Sequence, residues 1–238
     1  MLALCDQLPE HEHLIELFRR GAQLELDALQ ASPDGVEMWL VDLYGNDRWM
    51  VGAGHGAAGI LQPLLRGLRL LPDDVAGRVL SVARALVART ALRDGERANW
   101  LPTIDSDGSD IRVQWCHGAP GMVIALAPAA VDDDATREML VAGGELIWHA
   151  GPLAKGAGLC HGTAGNALAL LQLFDLTGDE LWLDRARRFA MHALTQVRAR
   201  REQVGRGRHS LMTGDLGVAV ALVQCEQARP GIPGLHFL

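Results

Sequence analysis

No stretch of this chain is apolar for long enough to cross a membrane. Its longest purely apolar runs, such as Met122–Ala127, fall far short of the roughly 20 residues that a bilayer requires. Cysteine is scarce: four in 238 residues do not make a disulfide framework. Reduced thiols in a cytoplasmic setting are therefore expected. A basic excess is also missing. Lys and Arg number 22 against 29 Asp and Glu, a formal net charge of −7, which argues against nucleic acid as a partner. Strand signals are weak and low-complexity segments are absent. Met1–Cys5 looks like the end of a lipoprotein signal, but Asp6 follows and no basic segment precedes it, so export is not expected.

What the chain does have is a repeated turn. It reads His55-Gly56-Ala57-Ala58-Gly59, His117-Gly118-Ala119-Pro120-Gly121 and His161-Gly162-Thr163-Ala164-Gly165, with a degenerate copy at Thr213-Gly214-Asp215-Leu216-Gly217. Copies spaced at roughly 45–60 residues point to a repeat architecture. Glycine lets the backbone bend sharply and pack tightly. Each turn opens an apolar run that reads as a helix, and the first amides of a helix are unsatisfied and partly positive. A thiolate placed there is stabilised.

Helical spacing dominates the remainder. It predicts helices over Glu12–Gln30, from Ile60 to Leu68, from Pro72 through Val87, over Ala135–Ala150, over Asn166–Leu176 with Gly178 as the stop, over Asp179–Arg200, and through the apolar run Val218–Gln224. Helices that follow a turn are apolar, and each of the first three is followed by a more charged one. That alternation predicts an inner and an outer layer of helices, with the turns on one rim facing a common cavity. Asp94–Gln114 reads as the longest loop and ends just before Cys116.

Cys116, Cys160 and His161 form a candidate metal set. Thiolates plus imidazole suit Zn²⁺, and three protein ligands leave a fourth position open, as in catalytic sites. Cys160 and His161 are neighbours and can face one ion only at a bend, while Cys116 occupies the equivalent bend one repeat earlier. The competing reading is that both cysteines are small buried hydrophobes. Cys5 and Cys225 lack the turn and read as free thiols.

The motifs Gly52-Ala53-Gly54-His55-Gly56-Ala57-Ala58-Gly59, Trp115-Cys116-His117-Gly118-Ala119-Pro120-Gly121, Leu159-Cys160-His161-Gly162-Thr163-Ala164-Gly165-Asn166 and Ser210-Leu211-Met212-Thr213-Gly214-Asp215-Leu216-Gly217 resemble, in order, those of the lanthionine synthetase C-like family. The resemblance runs from about Trp49 to the C-terminus, whose Ile232-Pro233-Gly234-Leu235-His236-Phe237-Leu238 is similar to the family's tail. It implies an all-α fold, an incomplete α/α toroid with about four of the family's seven helical hairpins. Residues 49–238 would form the toroid portion and residues 1–48 an N-terminal helical segment of uncertain role. It implies zinc on Cys116, Cys160 and His161, and Michael addition of a thiol to dehydroalanine or dehydrobutyrine in a peptide. The thiol is a peptide cysteine in lantibiotic cyclases and glutathione in the animal-type relatives. His55 then handles protons, His117 stands where bacterial cyclases carry tyrosine, and Arg112 matches an arginine that stabilises the enolate. Lys155 lies where animal-type relatives carry a lysine and is an anion-binding candidate.

This sequence departs from the family in lacking the upstream motifs, and Asp42 and Asp47 match no family acid–base aspartate. Two alternatives stand beside the cyclase reading. One is a non-catalytic fragment that binds zinc and peptide or glutathione. The other is a glycosidase-like barrel, which needs a carboxylate pair, whereas Asp215 stands alone on the turns. The arginines at 185, 187, 188, 198, 200, 201, 206 and 208 read mostly as a solvated face. An open toroid exposes apolar helix faces, so self-association or a second chain completing the ring is expected. Only Met1–Gln30 is available to cover an edge.

Overall fold

The computed structural model describes residues 12–236; Met1–Cys5 and the Cys5 thiol lie outside them. Helix α1 (Glu12–Asp27) comes first. Four helices then each follow a glycine turn: α2 (Ala57–Arg66), α4 (Ala119–Leu126), α6 (Thr163–Thr177) and α8 (Asp215–Gln227). Between them run α3 (Asp73–Thr90), α5 (Asp134–Ala150) and α7 (Glu180–Val204). No described helix is long and apolar enough to cross a membrane.

The two layers differ in burial. Every residue of α4 is buried, as is Thr163–Leu173 of α6, while α3, α5 and α7 bury one face only. Helix α2 packs on α4, α4 on α6 and α6 on α8, forming an inner wall. Helices α3, α5 and α7 back α2, α4 and α6 from outside. This is an incomplete α/α toroid. Side-chain caps start the outer helices α5 and α7: Asp133 accepts from the Thr136 N–H and Asp179 from the Leu181 N–H. Left-handed Gly178 and Gly205 end α6 and α7.

The inner helices start differently. Their N-cap residues are Gly56, Gly118, Gly162 and Gly214, without side-chain caps. Their first amides are satisfied by the turn instead. Ala57 donates to the Met50 carbonyl at 2.9 Å, Thr163 to Gly156 at 3.0 Å and Asp215 to Arg208 at 2.9 Å. In α4 the Ala119 N–H donates to Asn99 Oδ1 at 2.8 Å. These folded-back turns are so tight that a Cβ on Gly121 would sit 2.0 Å from the Trp115 carbonyl oxygen, and one on Gly165 would sit 2.0 Å from that of Leu159.

Among the described residues, three two-stranded antiparallel hairpins accompany the helices: β1 (Gln30–Ala31) with β2 (Glu37–Met38), β3 (Val41–Asp42) with β4 (Asp47–Arg48), and β5 (Ala91–Asp94) with β6 (Arg97–Trp100). The last corrects the loop expected over Asp94–Gln114, whose beginning is strand. Asp94 pairs with Arg97 and Ala91 with Trp100, and Trp100 is fully buried against α5.

The edge is covered by more than the N-terminal segment. Helix α1 packs on the outer helix α3. The residues after α8 fold back to α2 instead. Ile232 is buried, its N–H donates to His236 Nδ1 at 2.9 Å, and the His236 carbonyl accepts from Arg66 at 3.3 Å. His236 Nε2 lies 3.2 Å from the Gln62 side-chain amide. The tail thus ties the end of the last inner helix to the first one. Arg185, expected on a solvated face, is instead largely enclosed. It pairs with Glu145 at 2.7 Å and stacks on Trp148 and Trp182.

Candidate metal centre

The four turns meet in one chain of backbone hydrogen bonds. The Gly54 N–H donates to the Cys116 carbonyl at 3.1 Å, Cys116 to Cys160 at 3.1 Å, and Cys160 to Met212 at 2.7 Å. Each turn thereby hands its backbone to the next. The bonds leave Cys116 and Cys160 side by side above the starts of α4 and α6, and Cys160 carries His161 with it.

The ligand atoms of Cys116, Cys160 and His161 all lie within 4.8 Å of one another. Cys116 is buried, while Cys160 and His161 are half-buried. Two thiols and an imidazole are a donor set that fits zinc. The thiols are coupled. The hydrogen bond between them pulls Cys116 down to about 7, with the Gln114 amide also helping and burial opposing. The same bond, with burial, pushes Cys160 well above the ordinary thiol range. The opposite shifts favour one thiolate shared by the pair. Burial lowers His161, and then Lys155 and Arg208 lower it further, so its imidazole is neutral and able to act as a ligand.

A histidine pair adjoins the cluster. The rings of His55 and His117 are 5.9 Å apart, with His55 exposed and His117 buried. Burial pushes His117 down to about 4, helped by Arg112 and His55. Its Nδ1 is buried without a partner among the described residues. Arg112 is held by Asp110 through two bonds, Nε to Oδ1 at 2.7 Å and Nη2 to Oδ2 at 2.6 Å.

Lys155 is exposed, and its charge acts on Cys116, Cys160, His161 and His117. Neither Lys155 nor the Arg208 side chain has an acidic partner among the described residues. Asp215 is occupied elsewhere, by Arg201 at 2.8 Å and by the Arg208 backbone N–H at 3.3 Å. Asp42 caps its own hairpin, accepting from the Gly45 N–H at 2.7 Å. Cys225 is buried in the core, and burial raises it to about 12, so it is an inert thiol.

Two residues important to this geometry were not singled out from the sequence. Asn99, on β6, accepts from Ala119 and donates its amide to the Arg112 carbonyl at 3.1 Å, pinning the segment that leads to Cys116. Gln114 donates its amide to Cys116 Sγ at 3.2 Å. Gln114 lies two residues from the cysteine, so its position was a usable signal. Asn99 carried none, because its partners are 13 and 20 residues away.

A family model described as lanthionine synthetase C-like protein matches residues 12–232. A protein of Danio rerio named glutathione S-transferase LANCL1 is 39% identical over 144 residues, covering 59% of this chain and 34% of that protein. The Arabidopsis thaliana LanC-like protein GCL1 is 37% identical over 156 residues, covering 64% and 34% respectively. The solved structure of nisin cyclase shares the fold with a TM-score of 0.68 at 15% identity, over 91% of this chain and 58% of that one. The matches to the two curated relatives thus span about a third of their length.

Proposed function

The chain belongs to the lanthionine synthetase C-like family, and on that premise we propose that its cysteine–histidine cluster holds zinc and serves thiol addition to dehydroalanine or dehydrobutyrine residues of a peptide. The observation that carries this reading is the convergence of two thiols and an imidazole within 4.8 Å at one rim. Cys116, Cys160 and His161 would hold the metal, which when bound supplies acidity to a substrate thiol near neutral pH.

In the reaction a C–S bond forms at Cβ and the Cα=Cβ π bond breaks. Its electron pair moves toward the carbonyl, and a proton must reach Cα. The proton leaving the thiol has two nearby carriers, His55 and His117. Buried His117 is neutral at pH 7, with a free ring nitrogen, and exposed His55 connects it to solvent. Arg112, paired with Asp110, would stabilise the enolate, and its charge helps keep His117 unprotonated. A reducing, cytoplasmic setting belongs to the same reading, because the cluster needs its thiols free.

A second observation favours glutathione as the thiol. Lys155 and Arg208 are cations without acidic partners beside the cluster, suited to the carboxylates of an acidic thiol. The relative from Danio rerio is itself named a glutathione S-transferase. Self-association or a second chain remains part of the proposal, supported by exposed Leu216 and Val223 on α8. Sedimentation tests it, and a well-behaved monomer contradicts it.

The functional test incubates the zinc-loaded chain with a dehydroalanine peptide and glutathione and follows the mass of the adduct. Turnover that disappears with Cys160→Ala and weakens with Lys155→Ala supports the reading. Full zinc loading with no adduct, from either glutathione or a peptide cysteine, would leave the non-catalytic binding alternative in its place.

A further inference from the structure

The two cysteines of the cluster are held very differently. The Cys116 backbone is fixed on both sides, donating to Cys160 and accepting from Gly54, each at 3.1 Å. Gln114 and His117 exchange two backbone hydrogen bonds of 3.1 Å, closing a tight loop with Trp115 and Cys116 at its tip. Gly54 walls the side chain closely, since a Cβ there would come within 2.6 Å of the Cys116 Cβ. What remains free is the direction of the sulfur. The side chain of Gln114, buried at 7% exposure, reaches over the loop and places its amide nitrogen 3.2 Å from that sulfur. Cys160 is half-buried, and no side-chain amide among the described residues points at its sulfur.

From this asymmetry we propose that Gln114 is a positioning residue of the metal centre, whose amide N–H holds Cys116 Sγ in ligating orientation and withdraws charge from it. The proposal rests on the reading of Cys116 as a metal ligand. Two consequences follow from the N–H···S contact. An oriented sulfur loses less rotamer freedom when it binds, which strengthens the site, as groups contacting metal ligands do generally. A sulfur that shares its charge with a donor gives less of it to the metal, leaving the metal better able to acidify a thiol in the open position. Cys116 is then the fixed, electron-poor ligand, and Cys160 and His161 face the accessible side.

The test uses the full chain loaded with Co²⁺, whose sulfur-to-metal charge-transfer band reports thiolate ligands and their electron density. Gln114→Met keeps the side-chain length and removes the donor. The band is expected at longer wavelength than in the unaltered chain. Zinc affinity, read by competition with a chromophoric chelator, is expected to fall about tenfold or more. If Gln114→Met does not fold, Gln114→Asn gives the same readout, because it keeps the amide but withdraws it by one methylene. An unchanged band and unchanged affinity in a folded variant would overturn the role of Gln114. A variant that loses only thermal stability, with the band in place, would overturn it equally, since that marks a merely structural amide. An unaltered chain that takes up cobalt without any sulfur band would instead overturn the metal reading of Cys116, so the two failures are distinct.

Discussion

The Cys116 backbone N–H donates to the Cys160 carbonyl at 3.1 Å across 44 residues of chain, and this bond brings the two thiols together. It is the middle member of a series that begins at Gly54 and ends at Met212. The candidate site is therefore built by the packing of repeats, and changes that loosen the turns should reach the metal before they unfold the protein.

Gly121 gives the sharpest case. A Cβ at this position would sit 2.0 Å from the Trp115 carbonyl and 2.9 Å from the Ala53 side chain, both beside Cys116 and its neighbouring turn. Gly121→Ala should cost about 3 kcal/mol of stability, at the upper end for overpacking. Zinc affinity should fall with it. Gly77, inside α3, is the control: a methyl group there would meet nothing within 4 Å. Gly77→Ala should stabilise by about 0.5–1 kcal/mol through helix propensity. Urea unfolding of both variants checks the contrast; equal effects would contradict it.

Asn99 acts at a distance from the cluster in sequence but touches both ends of its approach. Asn99→Ala removes the acceptor for the first α4 amide and the donor to the Arg112 carbonyl. A loss of about 1–2 kcal/mol is expected, typical of a missing cap. Zinc release in a chelator titration should become faster. Unchanged release would mean that the segment from Arg112 to Cys116 is held without Asn99.

Acid sensitivity should follow buried His117 and half-buried His236. Burial, and then Arg66, push His236 down to about 4, while burial, Arg112 and His55 do the same to His117. Their folded values lie below the ordinary value of about 6.5. As pH falls from about 6.5 toward 4 the unfolded chain therefore takes up protons first, and stability is lost across that window. It is fully present above it and levels off below. His236 Nδ1 accepts from the Ile232 N–H, so protonation there breaks the turn that docks the tail on α2. Each histidine contributes up to about 3 kcal/mol by this linkage. His236→Asn in metal-free protein should lower the slope of stability against pH, leaving the part carried by His117 and His161, measured by urea midpoints at pH 7, 6, 5 and 4.5. A slope identical to that of the unaltered chain would contradict it.

The helices were legible in sequence because their signals are local. Apolar residues at helical spacing and a glycine turn at each inner start gave α2, α6 and α8 within a few residues, and Gly178 marked the end of α6. The hairpins were not legible. β1 to β4 are two residues long, and only Met38 among them is buried, so no alternation exists to read. The β5–β6 hairpin hid inside a polar stretch because Leu92 faces solvent while Ala98 and Trp100 face the core. Arg185 looked like part of a solvated row because its partners Glu145 and Trp148 come from another helix. At the candidate site, the two cysteines, the histidine and their turns were visible in sequence. The contact from Gln114 is local, two residues from Cys116, whereas those from Asn99 depend on how segments 13 and 20 residues apart stack.

X-ray absorption of the zinc-loaded chain decides whether Cys116, Cys160 and His161 hold one metal ion. One zinc per chain is expected, with two sulfur ligands at about 2.3 Å and a nitrogen ligand at about 2.0–2.1 Å, and with one sulfur fewer in Cys160→Ala. A zinc shell of oxygen and nitrogen alone, or one unchanged by Cys160→Ala, would contradict it.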